Sequence, residues 1–142
     1  MTGHASRQTE TDPQTQVVFK ILRPREWTDF CTSGRFEGSP DDQRDGFIHL
    51  SARDQVAGTL AKYFAGEDEL RLLAISTHHL PANSLKWEPS RGGALFPHLY
   101  TVLYSDTVIG ESAIARLPDG RHDIPDHILL LGCGDTGEDT GR

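Results

Sequence analysis

Cysteines, basic clusters and long apolar runs are all scarce in this chain of 142 residues, and each shortage excludes a class of function. The two cysteines, Cys31 and Cys133, lie far apart and fit no metal-ligand spacing, so a disulfide framework or a zinc module is not expected. Free thiols suit a reducing, cytoplasmic setting. No apolar stretch approaches the roughly 20 residues that a membrane helix requires, and residues 1–16 lack the apolar centre of a secretory signal. Lys and Arg number 14 against 21 Asp and Glu, for a formal charge of −7. The terminal stretches 1–16 and 132–142 carry −1 and −2 of this, and the remainder keeps −4. With no Lys/Arg cluster to offset it, such a surface repels a nucleic-acid backbone, which excludes general DNA or RNA binding. A single nucleotide in a small pocket is still compatible with that charge.

Hydrophobic residues at 36% and charged residues at 25% describe one soluble globular domain with a core of its own. Residues 1–16 are polar and aperiodic and read as a disordered tail; 17–131 form a single α+β domain; 132–142 are polar, Gly-rich and read as a second tail. Within the domain, Val17–Leu22 reads as a strand, and Pro24 to Gly34 as a short amphipathic helix with Pro at its start and Gly at its end. Gly38 to Asp42 reads as a turn-rich loop. Leu70–Ile75 is an interior strand, and Leu85–Glu88 and Leu95–Leu103 are the arms of a hairpin turning near Arg91 and Gly92. Pro97 cannot donate to a ladder, which predicts a sheet edge or bulge there. A further strand covers Thr107 to Arg116, broken at Gly110, and Ile128 to Leu131 is apolar enough to dock on the core.

The stretch around which the domain is organised is Asp45-Gly46-Phe47-Ile48-His49-Leu50-Ser51. Alternation along an extended segment turns Ile48 and Leu50 toward a core and Phe47, His49 and Ser51 the other way. Val56, Leu60 and Phe64 then repeat at four-residue spacing, the stripe of a helix running from Ala52 to Phe64 with Ser51 as its N-cap. A histidine beside a helix start suits a phosphate or ribose. In the hairpin, antiparallel register sets Glu88 opposite Phe96 to His98, so that a carboxylate and an imidazole share a face, with Tyr100 projecting beside His98. The adjacent pair His78 and His79 reads as exposed turn residues, since neighbours on an extended chain point apart.

The segments Gly46-Phe47-Ile48-His49-Leu50-Ser51, Lys86-Trp87-Glu88 and Phe96-Pro97-His98-Leu99-Tyr100, in this order and spacing, resemble the bacterial domain-of-unknown-function family numbered 952. The resemblance spans roughly residues 17 to 125. That family is grouped with the ADP-ribosyltransferase fold, which implies a small α+β domain in which two mostly antiparallel sheets and two or three short helices surround a cleft. In many members of that fold a His-Gly-Ser or His-Gly-Thr strand holds NAD, the histidine bonding a ribose hydroxyl. The similar residues here are His49, Leu50 and Ser51, with leucine in place of glycine. The resemblance further implies Glu88 as the catalytic carboxylate that stabilises an oxocarbenium-like ribose, with His49, Ser51, His98 and Tyr100 binding the ligand. NAD is then a substrate, and no bound cofactor or metal is required.

Three readings follow. The first is an ADP-ribosyltransferase-like enzyme acting on NAD or a related ribose phosphate. In the second, the same pocket binds a nucleotide or small metabolite without chemistry. The third gathers His49, Glu88 and His98 into a two-histidine, one-carboxylate metal site, a composition known from iron enzymes.

Overall fold

The computed structural model describes residues 16–132. Strand β1 (Val17–Leu22) pairs antiparallel along its whole length with β4 (Leu70–Ser76), and β4 pairs in turn with β8 (Val108–Arg116), whose far end carries the two-residue β9 (His122–Asp123). The strand order of this main sheet is β1-β4-β8-β9. β1 and β4 are apolar almost throughout because both faces are covered. Val17, Phe19, Ile21, Leu70, Leu72 and Ala74 join one core cluster, while Val18, Leu22, Leu73 and Ile75 join the other.

The first cluster is closed by the helix α3 (Val56–Tyr63) through Val56 and Leu60, with Phe64 just beyond its end, and by Ile128 of the short C-terminal helix Asp126–Leu129. The docking expected of Ile128 to Leu131 is therefore seen, and Arg53 fastens it by donating to the carbonyls of Leu129 (2.6 Å) and Leu131 (2.5 Å). Gly110 does not break its strand. β8 runs through it with a register irregularity opposite Ala74 and Ile75, and a Cβ on Gly110 would collide with Leu131, so the glycine is there for close approach.

The second cluster lies between the main sheet and a three-stranded sheet, β3-β6-β5, formed by β3 (Ile48–His49), β6 (Leu95–Leu99) and β5 (Leu85–Pro89). It is flanked by α1 (Pro24–Ser33), which presents Trp27 and Phe30, and by the small pair β2 (Arg35–Phe36) and β7 (Leu103–Tyr104). α1 begins and ends as the sequence indicates, with Pro24 in its first turn and Gly34 left-handed at φ 78°. The architecture is mixed α+β with small antiparallel sheets and few, short helices. Among the described residues no helix is long and apolar enough to cross a membrane. The two tails expected at 1–16 and 132–142 lie, except for residues 16 and 132, outside the described residues.

Four local expectations are corrected. Pro40–Asp45 is a helix, α2, rather than a loop: Ser39 caps it, accepting from the Asp42 N–H at 3.2 Å while Asp42 accepts from the Ser39 N–H at 2.9 Å. Ser51 is not a helix cap. Its backbone exchanges two hydrogen bonds with Phe19 (2.8 and 2.9 Å), so the helix starts later, through a 3₁₀ turn at Arg53–Gln55. Pro97 sits in the central strand of its sheet and not at an edge. Its carbonyl accepts from Leu50 at 3.0 Å, and since N–H and C=O leave a strand on the same side, the missing donor faces the place where the chain quits β3. Finally, the strand expected to reach Leu103 ends at Leu99, where Tyr100 bonds back to Ser84, and Leu103 begins β7 against Phe36.

The consequence for the site is a crossing. Ile48 and His49 pair with Leu99 and His98 of β6, and two residues later Ser51 pairs with Phe19 of β1. One extended stretch thus ties the two sheets together. Leu50 points into the core, 3% exposed, while His49 and Ser51 face a cleft between them.

Candidate functional site

The cleft has a volume of about 240 Å³ and is walled by β1, α2, α3 and the ends of β3 and β6. Its most constrained group is Asp42. Helix α2 is fixed by its Ser39 cap and by Gly46, left-handed at φ 89°, so the Asp42 side chain is delivered inward and is 3% exposed. One carboxylate oxygen accepts from the His49 backbone N–H (3.0 Å) and lies 2.6 Å from His49 Nδ1; the other accepts from the Ser39 N–H (2.9 Å) and from Lys20 Nζ (3.0 Å). Burial alone would raise the Asp42 carboxyl, but the His49 hydrogen bond, the Lys20 charge and two backbone N–H groups together hold it well below the usual carboxylate range. Lys20 sits in β1 on the face of Val18 and Leu22 and also donates to the His49 carbonyl at 2.9 Å. The only polar residue of that strand is there to meet the helix carboxylate.

His49 is held from both sides. Nδ1 meets buried Asp42, and Nε2 lies 2.9 Å from Asp45, a third exposed at the end of α2. An ionised carboxylate only accepts, so both bonds form when both ring nitrogens carry protons. Asp45 is kept ionised chiefly by its bond with Arg44, with His49 contributing. The Asp42 bond therefore orients the ring, and the outer bond to Asp45 is the one that a ligand oxygen can replace. Ser51 lines the same cleft, 5% exposed, its hydroxyl sharing a 3.0 Å hydrogen bond with Thr59 of α3.

A second polar group meets the cleft from β6. His98 is 4% exposed, and its Nδ1 lies 2.8 Å from Glu88 of β5, the same carboxylate oxygen that accepts from the Tyr100 hydroxyl at 2.7 Å. The register is Glu88 opposite Phe96 and Lys86 opposite His98, so Glu88 reaches His98 along the diagonal of one sheet face. The bonds from Tyr100 first and His98 second pull the Glu88 carboxyl down, and Glu88 pushes the Tyr100 phenol up. Phe47 covers this group: its ring stacks on His98 at 4.0 Å and 22° and stands 4.7 Å from His49 and 5.3 Å from Tyr100. The two imidazoles are 5.7 Å apart, edge to face.

The sequence-derived residues therefore divide. His49, Ser51 and His98 line the cleft; Glu88 and Tyr100 do not, and Glu88 touches it only through His98. His49, Glu88 and His98 form no metal site: among the described residues no three His, Cys, Asp or Glu side chains converge on one, and both nitrogens of His49 are already engaged with carboxylates. His78 and His79 are exposed in a 3₁₀ turn, as expected. Lys20, Asp42, Asp45 and Phe47 were not anticipated as site residues. Two signals point to them: a lone lysine inside the apolar run Val17–Leu22, and the Ser39-Pro40-Asp41-Asp42 capping pattern ending at Gly46.

Comparison with known proteins places this arrangement in a family. No curated protein matches the chain. The crystal structure of protein CC0527 from Caulobacter crescentus is similar, at 47% identity and a TM-score of 0.75 over 81% of this chain and 99% of that one. A crystal structure of a double mutant of that protein gives 46% identity and 0.75, and its solution NMR structure 46% and 0.69 over 80% and 97% of the two chains. Residues 21–111 match the family described as protein of unknown function (DUF952), a span that includes α2, the crossing strand and the whole β5–β6 hairpin, and the chain belongs to that family.

Proposed function

We propose that the cleft binds a ribose phosphate and that the protein is an ADP-ribosyltransferase-like enzyme acting on NAD or a related nucleotide. The observation that carries this reading is the placement of Leu50. With its side chain in the core, leucine in place of the usual glycine does not crowd the cleft, and the strand shows a ligand only its backbone and the flanking His49 and Ser51. His49, anchored by Asp42, offers an oriented ring nitrogen, Nε2, to a ribose hydroxyl once Asp45 yields. The cleft volume of about 240 Å³ is at the small end for ligand sites, which run from roughly 300 to 1,000 Å³. It favours a ribose with one attached ring inside and the phosphates at the open mouth. The exposed thiol of Cys31 fits a cytoplasmic setting.

A second reading, a nucleotide or metabolite binder without chemistry, is favoured by Glu88. Its inward oxygen is committed to His98 and Tyr100, and it does not line the cleft, so it is poorly placed to meet a ribose directly. One experiment separates the two: NAD, ADP-ribose and AMP are titrated against the protein while the thermal midpoint and released nicotinamide are followed. At a hundredfold excess over Kd a ligand adds about 2.7 kcal/mol of stability, so binding gives a clear upward shift. A shift with nicotinamide release supports the enzyme, a shift alone supports the binder, and no shift with any of the three overturns both.

A further inference from the structure

One polar atom of the site, His98 Nε2, stands outside both carboxylate networks. It is buried, it has no hydrogen-bond partner among the described residues, and it belongs to a side chain lining the cleft. A buried polar group left unpaired is costly, and native structures hold few of them. The rest of the ring is fixed. Nδ1 faces a Glu88 oxygen that also accepts the Tyr100 proton, and an ionised carboxylate can only accept, so the ring proton of neutral His98 sits on Nδ1 and Nε2 is a bare lone pair. Phe47 stacks on one face of the imidazole at 4.0 Å and further fixes the plane of the ring. The groups around the ring are Glu88 and Tyr100 on its Nδ1 side, His49 edge-on, and Lys86 opposite in the ladder with its ammonium 5.9 Å from the Tyr100 ring.

The cleft is therefore lined by two unlike imidazoles, His49 with both ring nitrogens against carboxylates and His98 with Nε2 unpartnered, their ring centres 5.7 Å apart. We propose that His98 is the catalytic proton acceptor of this site and that Glu88 is its positioning residue. For the identity of the reaction this rests on the ribose reading. In the step it implies, the oxygen of a hydroxyl, from water or an acceptor alcohol, bonds to C1′ of the ribose as the C1′–N bond breaks. The bonding pair leaves with neutral nicotinamide, and the hydroxyl proton passes to His98 Nε2. The resulting imidazolium is stabilised by Glu88 across the Nδ1 bond. Glu88 thus acts one residue removed from the ribose, which accounts for its absence from the cleft wall.

Two measurements on the full chain test this. Long-range proton–nitrogen NMR of the imidazoles at neutral pH should show His98 protonated at Nδ1 and bare at Nε2, with Glu88→Gln mixing the two tautomers; a proton on Nε2 in the wild type overturns the proposal. In nicotinamide release from NAD, His98→Gln should lower kcat by about 10²- to 10⁴-fold while retaining the NAD-induced thermal shift. Glu88→Gln, a change on a part-exposed strand residue, should lower kcat by ~10-fold or more with KM unchanged and displace the acidic limb of the pH–rate profile, which a purely structural role would not move. Release of ADP-ribose marks water as the attacking group, and a ribosylated alcohol marks an acceptor. Turnover by H98Q within twofold of wild type sinks this proposal and leaves the ribose reading standing; absence of any release from the wild type removes both.

Discussion

The side chain with the most at stake is Asp42. Four donors converge on its two oxygens, and one of them is the ammonium of Lys20, itself 8% exposed. Removing one partner of a buried ion pair leaves the other charge uncompensated, at a cost of about 3–5 kcal/mol. Asp42→Ala should lose stability in that range in urea unfolding, and Lys20→Met with Asp42→Asn should lose less than the two single changes together, since the pair then goes as a unit. The same carboxylate gives a pH dependence of definite sign. Its folded-state pKa is depressed, so its contribution is fully present above the unfolded value of about 3.9 and is lost as pH falls through the lower, folded value. Stability below about pH 4 should therefore decline more steeply in the wild type than in Asp42→Asn. Equal slopes would show that Asp42 is not ionised and hydrogen-bonded as described.

At the scale of elements, α2 shows how a short helix makes a site. Six residues have little helical stability of their own. The element depends on the Ser39 cap, Pro40 in the first turn and the left-handed Gly46, and through Asp42 and Asp45 it orients His49. Ser39→Ala should cost about 1 kcal/mol, and because the cap and the site share Asp42, it should also broaden or shift the His49 ring resonances; a stability loss with an unchanged His49 spectrum would uncouple the two. This helix was open to reading from Ser39-Pro40-Asp41-Asp42 and Gly46, yet a cluster of Ser, Pro, Asp and Gly is equally the composition of a turn, and the bonds of Asp42 to Lys20 and His49 that favour the helix are not written in that cluster. α1, α3, β1 and β4 were legible because each carries a clear apolar period or a fully apolar run. Ser51 and Pro97 were misread for one reason. Each has a strong local preference, capping for one and edge placement for the other, and each is overruled by a backbone partner distant in sequence, Phe19 for Ser51 and Leu50 for Pro97.

For the molecule as a whole, the register of the β5–β6 hairpin carried Glu88, His98 and Tyr100 onto a common network, as the turn at Gly92 and Gly93 allowed. The relation of that network to the cleft was not legible, because it depends on how the three-stranded sheet sits over β1, and nothing local encodes that. The crossing strand sets it, with bonds to Pro97 on one side and Phe19 on the other. The residues that hold His49 and Ser51 in place are thus the stitch joining two halves of the fold. A wall built from such a stitch cannot slacken by itself, so the amide protons of Phe19 and Ser51 should exchange with deuterium only through whole-molecule opening and at the free energy of unfolding; faster, local exchange there would show the stitch to be loose. In that case binding strength and resistance to heat would be separable properties, whereas the crossing described here makes them rise and fall as one.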